Sequence, residues 1–236
     1  YGFGVIYAEL KVSSFIQDKT GPMGQGYGFH AGKWGFLQPV ADGLHLFFKE
    51  DIIPATADRP LFILAPFLIF IGMFVGIIAI PFGEAIIISD MNIGIFYILG
   101  VGSLAVIALI LAGWSSNNKW ALYGGMRSAA QIISYEIPAG LSLIVVILLA
   151  SSLSMQEIIS YQSGGMFNWI IFDNPFMPIA FIIFFISALA ETNRTPFDLP
   201  ESESELVAGF VTEYSGARYA FFFLSEYVNM FVISAV

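Results

Sequence analysis

"LFILAPFLIFIGMFVGIIAIPF", residues 61–82, runs for twenty-two positions without one ionisable side chain. A helix rises about 1.5 Å per residue, so a stretch of this length covers the roughly 30 Å of a bilayer's hydrocarbon core. Pro66 and Pro81 sit near its ends, a position that spanning helices tolerate. The whole chain agrees with this stretch. Of 236 residues, 57% are hydrophobic and 11% are charged, whereas a soluble domain carries about 25% charged residues. Further apolar runs predict spans at about 93–113, 132–153, 170–190 and 217–236. Residues 1–8 look like the tail of another span. The fold class expected is therefore all-α integral membrane. It is a multi-span helical bundle with a surface amphipathic helix, in one membrane domain over 1–236. The chain is expected to be an incomplete piece, showing five spans plus a stub.

Spans that alternate sides sort the connecting segments into two sets. Segments 9–59, 114–136 and 191–216 fall on one side, and 83–92 and 154–173 on the other. Lys11, Lys19, Lys33, Lys49, Arg59, Lys119, Arg127 and Arg194 all lie in the first set, with Arg218 at its edge. The second set has no Lys or Arg. The positive-inside rule then places the first set in the cytoplasm or its organellar equivalent. The surface segment 9–59 is too long for a plain connector. Phe36, Leu37, Val40, Leu44, Phe47 and Phe48 recur in it at helical spacing, which predicts a helix lying along the membrane surface or packed on the spans. The chain has no cysteine, so disulfides, thiolate metal sites and iron–sulfur ligation by these residues are excluded. His30 and His45 lack partners at ligand spacing, and no metal site is expected. A net charge of −9 argues against nucleic acid as a partner.

Charge inside an apolar run is costly, and intramembrane ionisable residues mark function unless they are paired. Glu226 stands near the centre of the 217–236 span. It is either paired or neutral in a structural role, or a carboxyl that takes up and releases a proton. Glu136 opens a span, where a carboxylate can also simply complement the helix dipole. Glu191 closes another span. Glu213 precedes Glu226 by thirteen positions, about 20 Å in an unbroken helix, and the glycine between them predicts a break. The segment "ETNRTPFDLPESESEL", from Glu191, concentrates the remaining acids. Glu191 and Arg194 are spaced to pair if the helix runs on, and Pro196 is expected to end it. Asp198 and Glu201 have capping-box spacing around Pro200. Glu201 and Glu205 share a face, and like charges there call for a raised pKa or a cation.

The acidic segment resembles a known signature. "AETNRTPFDLPESESELVAGFVTEYSG" (190–216) is similar to the quinone-site membrane subunit of respiratory complex I, the family of the bacterial NADH-quinone oxidoreductase H subunit and the mitochondrial NADH dehydrogenase subunit 1. "AELKVSSFIQDKTGP" (8–22), "LQPVADGLHLFFKEDIIPAT" (37–56) and "GWSSNNKWALYGGMRSAAQIISYEIP" (113–138) resemble other parts of that family in the same order. The resemblance implies a subunit of a proton-pumping NADH:quinone oxidoreductase. Quinone would be substrate, FMN and iron–sulfur clusters would sit in partner subunits, and this chain would hold no redox centre. Glu136, Glu191, Glu213 and Glu226 match a carboxylate route for protons. Asp198, Glu201, Glu203 and Glu205 match an acidic loop facing the quinone chamber, and Glu9, Lys19, Asp42 and Arg194 match residues of the chamber or its entrance. Leu10 stands where the family usually has Arg, Lys19 where Arg is usual and His45 where Lys is common. The partners implied are peripheral-arm quinone-site subunits, neighbouring membrane-arm subunits and lipid. The location implied is the bacterial plasma membrane, or alternatively the mitochondrial inner membrane. A related pump subunit of a membrane-bound hydrogenase, or a stand-alone proton-coupled transporter, would use the same features.

Overall fold

The computed structural model describes residues 1–19, 21–22, 35–83, 86–198 and 203–236, with the backbone alone at 166, 203 and 204. Eleven α-helices lie among the described residues. In chain order they are α1 (Gly2–Ile16), α2 (Gln38–Phe48), α3 (Arg59–Gly76), α4 (Gly94–Gly102), α5 (Leu104–Ser115) and α6 (Lys119–Ala150). Then follow α7 (Met155–Tyr161), α8 (Ile170–Asp173), α9 (Met177–Glu191), α10 (Glu203–Leu206) and α11 (Gly216–Ala235). No β-strand occurs among the described residues.

Among the described residues, three helical stretches are long and apolar enough to cross a bilayer: Arg59–Ala79, Gly94–Ser115 and Lys119–Ala150. The 61–82 run gives the first of these, ending in a 3-10 turn at Ile77–Ala79. The 93–113 run gives the second, as α4 and α5 meeting at Ser103. The third differs from its expected bounds. The polar stretch expected to form a connector over 114–136 is helical from Lys119, where the Asn118 side chain accepts from the Trp120 amide at 2.9 Å. Helix formation does not stop at the hydrocarbon boundary, so α6 reaches 32 residues. The 170–190 run is shorter than expected. It breaks at Asn174 and Pro175, which leaves the 15 residues of α9 as the continuous helix. The 217–236 run is α11, 20 residues long and more polar than the other three. At the other end of the chain, α1 carries helix past the expected stub to Ile16.

Packing runs α11 on α3, α3 on α5, α5 on α6 and α6 on α9. Two apolar cores result among the described residues. One joins Phe62, Ile69, Leu109, Ile132, Phe210 and Phe222. The other joins Ile80, Ile98, Leu143, Met155, Ile170 and Val232. Between helices in lipid, close backbone approach replaces the hydrophobic drive. Gly124 shows this most sharply, because a Cβ there would sit 2.6 Å from the Gly209 backbone. Gly209 itself has φ +55°. The contact seats the 3-10 turn Gly209–Val211 against α6.

Hydrogen bonds pin the two ends of the bundle. At one end the Asp58 amide donates to the Ser115 carbonyl at 3.0 Å, Asn117 donates to the Thr56 carbonyl, and Arg218 pairs with Asp51 at 3.1 Å. At the other end the Ile95 amide donates to the Leu153 carbonyl at 3.3 Å. Meanwhile α2 packs on α1 and α11, yet leaves Leu44, Phe47 and Phe48 exposed. The helix is thus packed on its neighbours, the second of the two arrangements expected for it.

Candidate functional site

Glu191 is the last residue of α9. Thr192 caps the helix and Asn193 turns it at φ +50°, so α9 ends well before Pro196. A short turn therefore stands where the sequence suggested a continuing helix, and the expected Glu191–Arg194 pair does not form. Arg194 instead donates to Glu9 on α1 at 2.7 Å. Its guanidinium lies over the Tyr227 ring, 5.0 Å from the centroid. Tyr227 in turn donates its hydroxyl proton to Glu9 at 2.7 Å. Buried Arg194 atoms Nε and Nη2 have no hydrogen-bond partner among the described residues. This triad ties α1, the 192–198 turn and α11 together, and Arg194 also lies within electrostatic reach of Glu226.

Behind that turn, Glu191 and Glu226 line one crevice with Thr192, Asn193, Ser225 and Asn229. Glu136 on α6 is close enough to Glu191 for the two carboxylates to feel each other's charge. Gln131, one helical turn before Tyr135 on α6, donates from one nitrogen to the Ala190 carbonyl, Asn193 Oδ1 and the Phe197 carbonyl, at 2.8–3.1 Å. That amide fixes where α9 ends, and so where Glu191 stands.

Glu213 lies between the 3-10 turn and α11, with the break supplied by Gly216 at φ +57°. The expected break between Glu213 and Glu226 is present. Asn118 donates to Glu213 at 2.6 Å. Next to it, Tyr214 is buried, stacks on Phe62 at 4.0 Å between centroids and lies 3.3 Å from the Ser115 hydroxyl. Burial pushes the Tyr214 phenol up to about 12.

The remaining expected residues lie apart from these groups. Glu205 accepts from Arg127 at 2.8 Å on an exposed face. Asp198 is exposed. Glu201 and Pro200 lie outside the described residues, as do His30 and Lys33, and the Glu203 side chain is likewise outside them. Lys19 donates to Gln17 at 2.7 Å, and Asp42 accepts from Gln38 at 2.6 Å. Neither is brought to Arg194 by a described contact. Tyr227, Gln131, Asn118 and Asn229 were missed by sequence reading. A lone amide in an apolar helix was the available signal for Gln131 and Asn229.

Fold and site together define a helical membrane protein that keeps carboxylates at the junctions of its apolar helices. The family model described as NADH dehydrogenase matches residues 2–236. The chain belongs to that family. It is 52% identical over 233 residues to the H subunit of the NADH-quinone oxidoreductase of Chlorobaculum tepidum, covering 98% of this chain and 63% of that protein. It is 52% identical over 231 residues to the corresponding H subunit of Anaeromyxobacter dehalogenans, covering 98% of this chain and 54% of that protein. The H subunit of a Geobacillus species is also 52% identical over 231 residues, covering 98% of this chain and 66% of that protein. The chain thus spans between about half and two thirds of the length of these relatives.

Proposed function

We propose that this chain is part of the membrane subunit of a proton-pumping NADH:quinone oxidoreductase in a bacterial plasma membrane. In this reading Glu9 and Arg194 border the chamber for the quinone headgroup, and the acidic loop from Asp198 to Glu205 faces it. Glu213, Glu226, Glu191 and Glu136 form the carboxylate route that couples quinone reduction to proton translocation. Peripheral-arm and membrane-arm subunits are its partners, and electron transfer centres belong to the former. The observation that carries the reading is the crevice shared by Glu191 and Glu226, two carboxyls from different helices facing one space inside an apolar bundle. Carboxyls so placed lose much of their solvation and respond strongly to any change in neighbouring charge. Quinone chemistry at the acidic loop would supply that change.

Membranes carrying Glu213→Gln, with assembly of the complex demonstrated, test the proposal. The substitution keeps side-chain size and removes the titratable group beside Asn118. Quinone reductase rate and proton uptake are recorded together. The expected outcome is a fall of about tenfold or more in both, or pumping out of step with turnover. Wild-type values for both would make Glu213 a structural acid and remove it from the route.

A further inference from the structure

Two crevices follow the inner face of α11. One contains Glu226, Ser225 and Thr192 among its polar walls. The other runs on past Gly72, Gly76 and Gly102 between mostly apolar walls. Met73, Glu191 and Asn229 line both. Asn229 is only 8% exposed, and its side chain makes no hydrogen bond to a described residue. A carboxamide carries two donors and an acceptor. Left unpaired among apolar walls these groups are strongly disfavoured, and buried polar groups with adjoining space are ordinarily satisfied by water. Asn229 follows Glu226 by three positions on α11, so both look out from one face of the helix.

We infer that Asn229 is a positioning residue for proton transfer, holding the water that joins Glu226 to Glu191. The inference rests on the proposed carboxylate route. Protonated Glu226 gives its proton to the water while that water passes one of its own to the Glu191 carboxylate. At each oxygen one O–H bond breaks as another forms, the water is regenerated, and carboxyl and carboxylate exchange places. The carboxamide keeps its protons. It donates a hydrogen bond to the water oxygen and thereby aims the water's O–H at Glu191. Among the described residues, Asn229 is the one carboxamide that lines both crevices, beside Glu191 in each.

The test uses the full-length subunit in the intact complex, with Asn229→Leu, Asn229→Ser and Glu191→Gln compared. Turnover, proton pumping in vesicles and the infrared carboxyl band that Glu191→Gln abolishes are measured. The Leu variant is expected to lower pumping-linked turnover about tenfold and to shift that band. The Ser variant, smaller but polar, is expected to recover at least half of the loss. Wild-type pumping and an unshifted band in the Leu variant would overturn the inference. So would equal impairment by Leu and Ser, which is the behaviour of a packing residue. Should the Leu variant not assemble, Asn229→Ala removes the amide while keeping the space, and the same outcomes decide. The two levels separate cleanly. If Glu191→Gln pumps normally, the carboxylate route itself fails. If Glu191→Gln is impaired while Asn229→Leu is normal, only the role of Asn229 fails.

Discussion

Tyr214 is the residue whose environment makes the plainest quantitative statement. Its phenol rises from an ordinary value of 10.0 to about 12, chiefly through burial beneath Phe62 and Phe222. The folded state therefore favours the protonated phenol. Its stabilising contribution is complete below pH 10, falls as the unfolded chain ionises above that, and is gone by pH 12. Thermal melts of the solubilised protein should lose stability over that window, by at most about 1.4 kcal/mol per pH unit from this group. Tyr214→Phe should flatten that part of the curve, and an unchanged slope would show that Tyr214 does not titrate there. Arg194 makes a different statement. Its planar guanidinium meets Glu9 and Tyr227 at once, and an ammonium cannot do both. Arg194→Lys should loosen α1, seen as several-fold faster amide hydrogen exchange across Gly2–Ile16. The effect stays modest because the Glu9 side chain is 43% exposed, which screens the pair. Unchanged exchange in α1 would mean that other contacts hold that helix.

Helix α6 is where single glycines separate packing from propensity. A Cβ on Gly124 would meet the backbone of Gly209 and Phe210 at 2.6 Å, while a Cβ on Gly140 of the same helix would meet nothing within 4 Å. Gly124→Ala should therefore push the 209–211 turn away from α6 and cost about 1–3 kcal/mol, with Glu213 displaced downstream. Gly140→Ala should be neutral or slightly stabilising. Melting temperature and assembly yield check both, and equal behaviour of the two variants would refute the close contact. The same helix shows what the sequence could disclose. Ion-free runs at 61–82 and 93–113 marked α3 and the α4–α5 pair because hydropathy reports burial in lipid directly. It does not report helix that continues into water, so residues 119–131 of α6 looked like a connector. The carboxyls at 136, 191, 213 and 226 stood out because charge in apolar sequence is rare. The partner of Arg194 did not, because Arg194 meets Glu9 across 185 positions of chain. That choice is made by the turn at Thr192–Asn193, where spacing alone favoured the nearer Glu191.

At the scale of the molecule, the hydrogen-bonded ends of the bundle imply an orientation that labelling can read. Arg59, Lys119 and Arg218 stand at helix starts gathered at one end, tied by the Asp58–Ser115 and Arg218–Asp51 contacts. Asp90 and Ser163 belong to the connections at the other end, where Ile95 meets Leu153. A helical stretch such as Arg59–Ala79, at 21 residues, separates the two ends by about 30 Å. The positive-inside rule then predicts that this end, with its positive charges, faces the cytoplasm. The absence of cysteine from these residues makes the test direct. Lys119, Asp90 and Ser163 are all exposed, so cysteine at each can be reached by a membrane-impermeant thiol reagent. In intact cells Asp90→Cys and Ser163→Cys should react, and Lys119→Cys should react only after the membrane is opened. In inverted vesicles the order should reverse. Labelling of Lys119→Cys together with Asp90→Cys in intact cells would put both ends of the bundle on one face. The helices could not then cross the membrane as drawn, and a carboxylate route between its two sides would lose its frame.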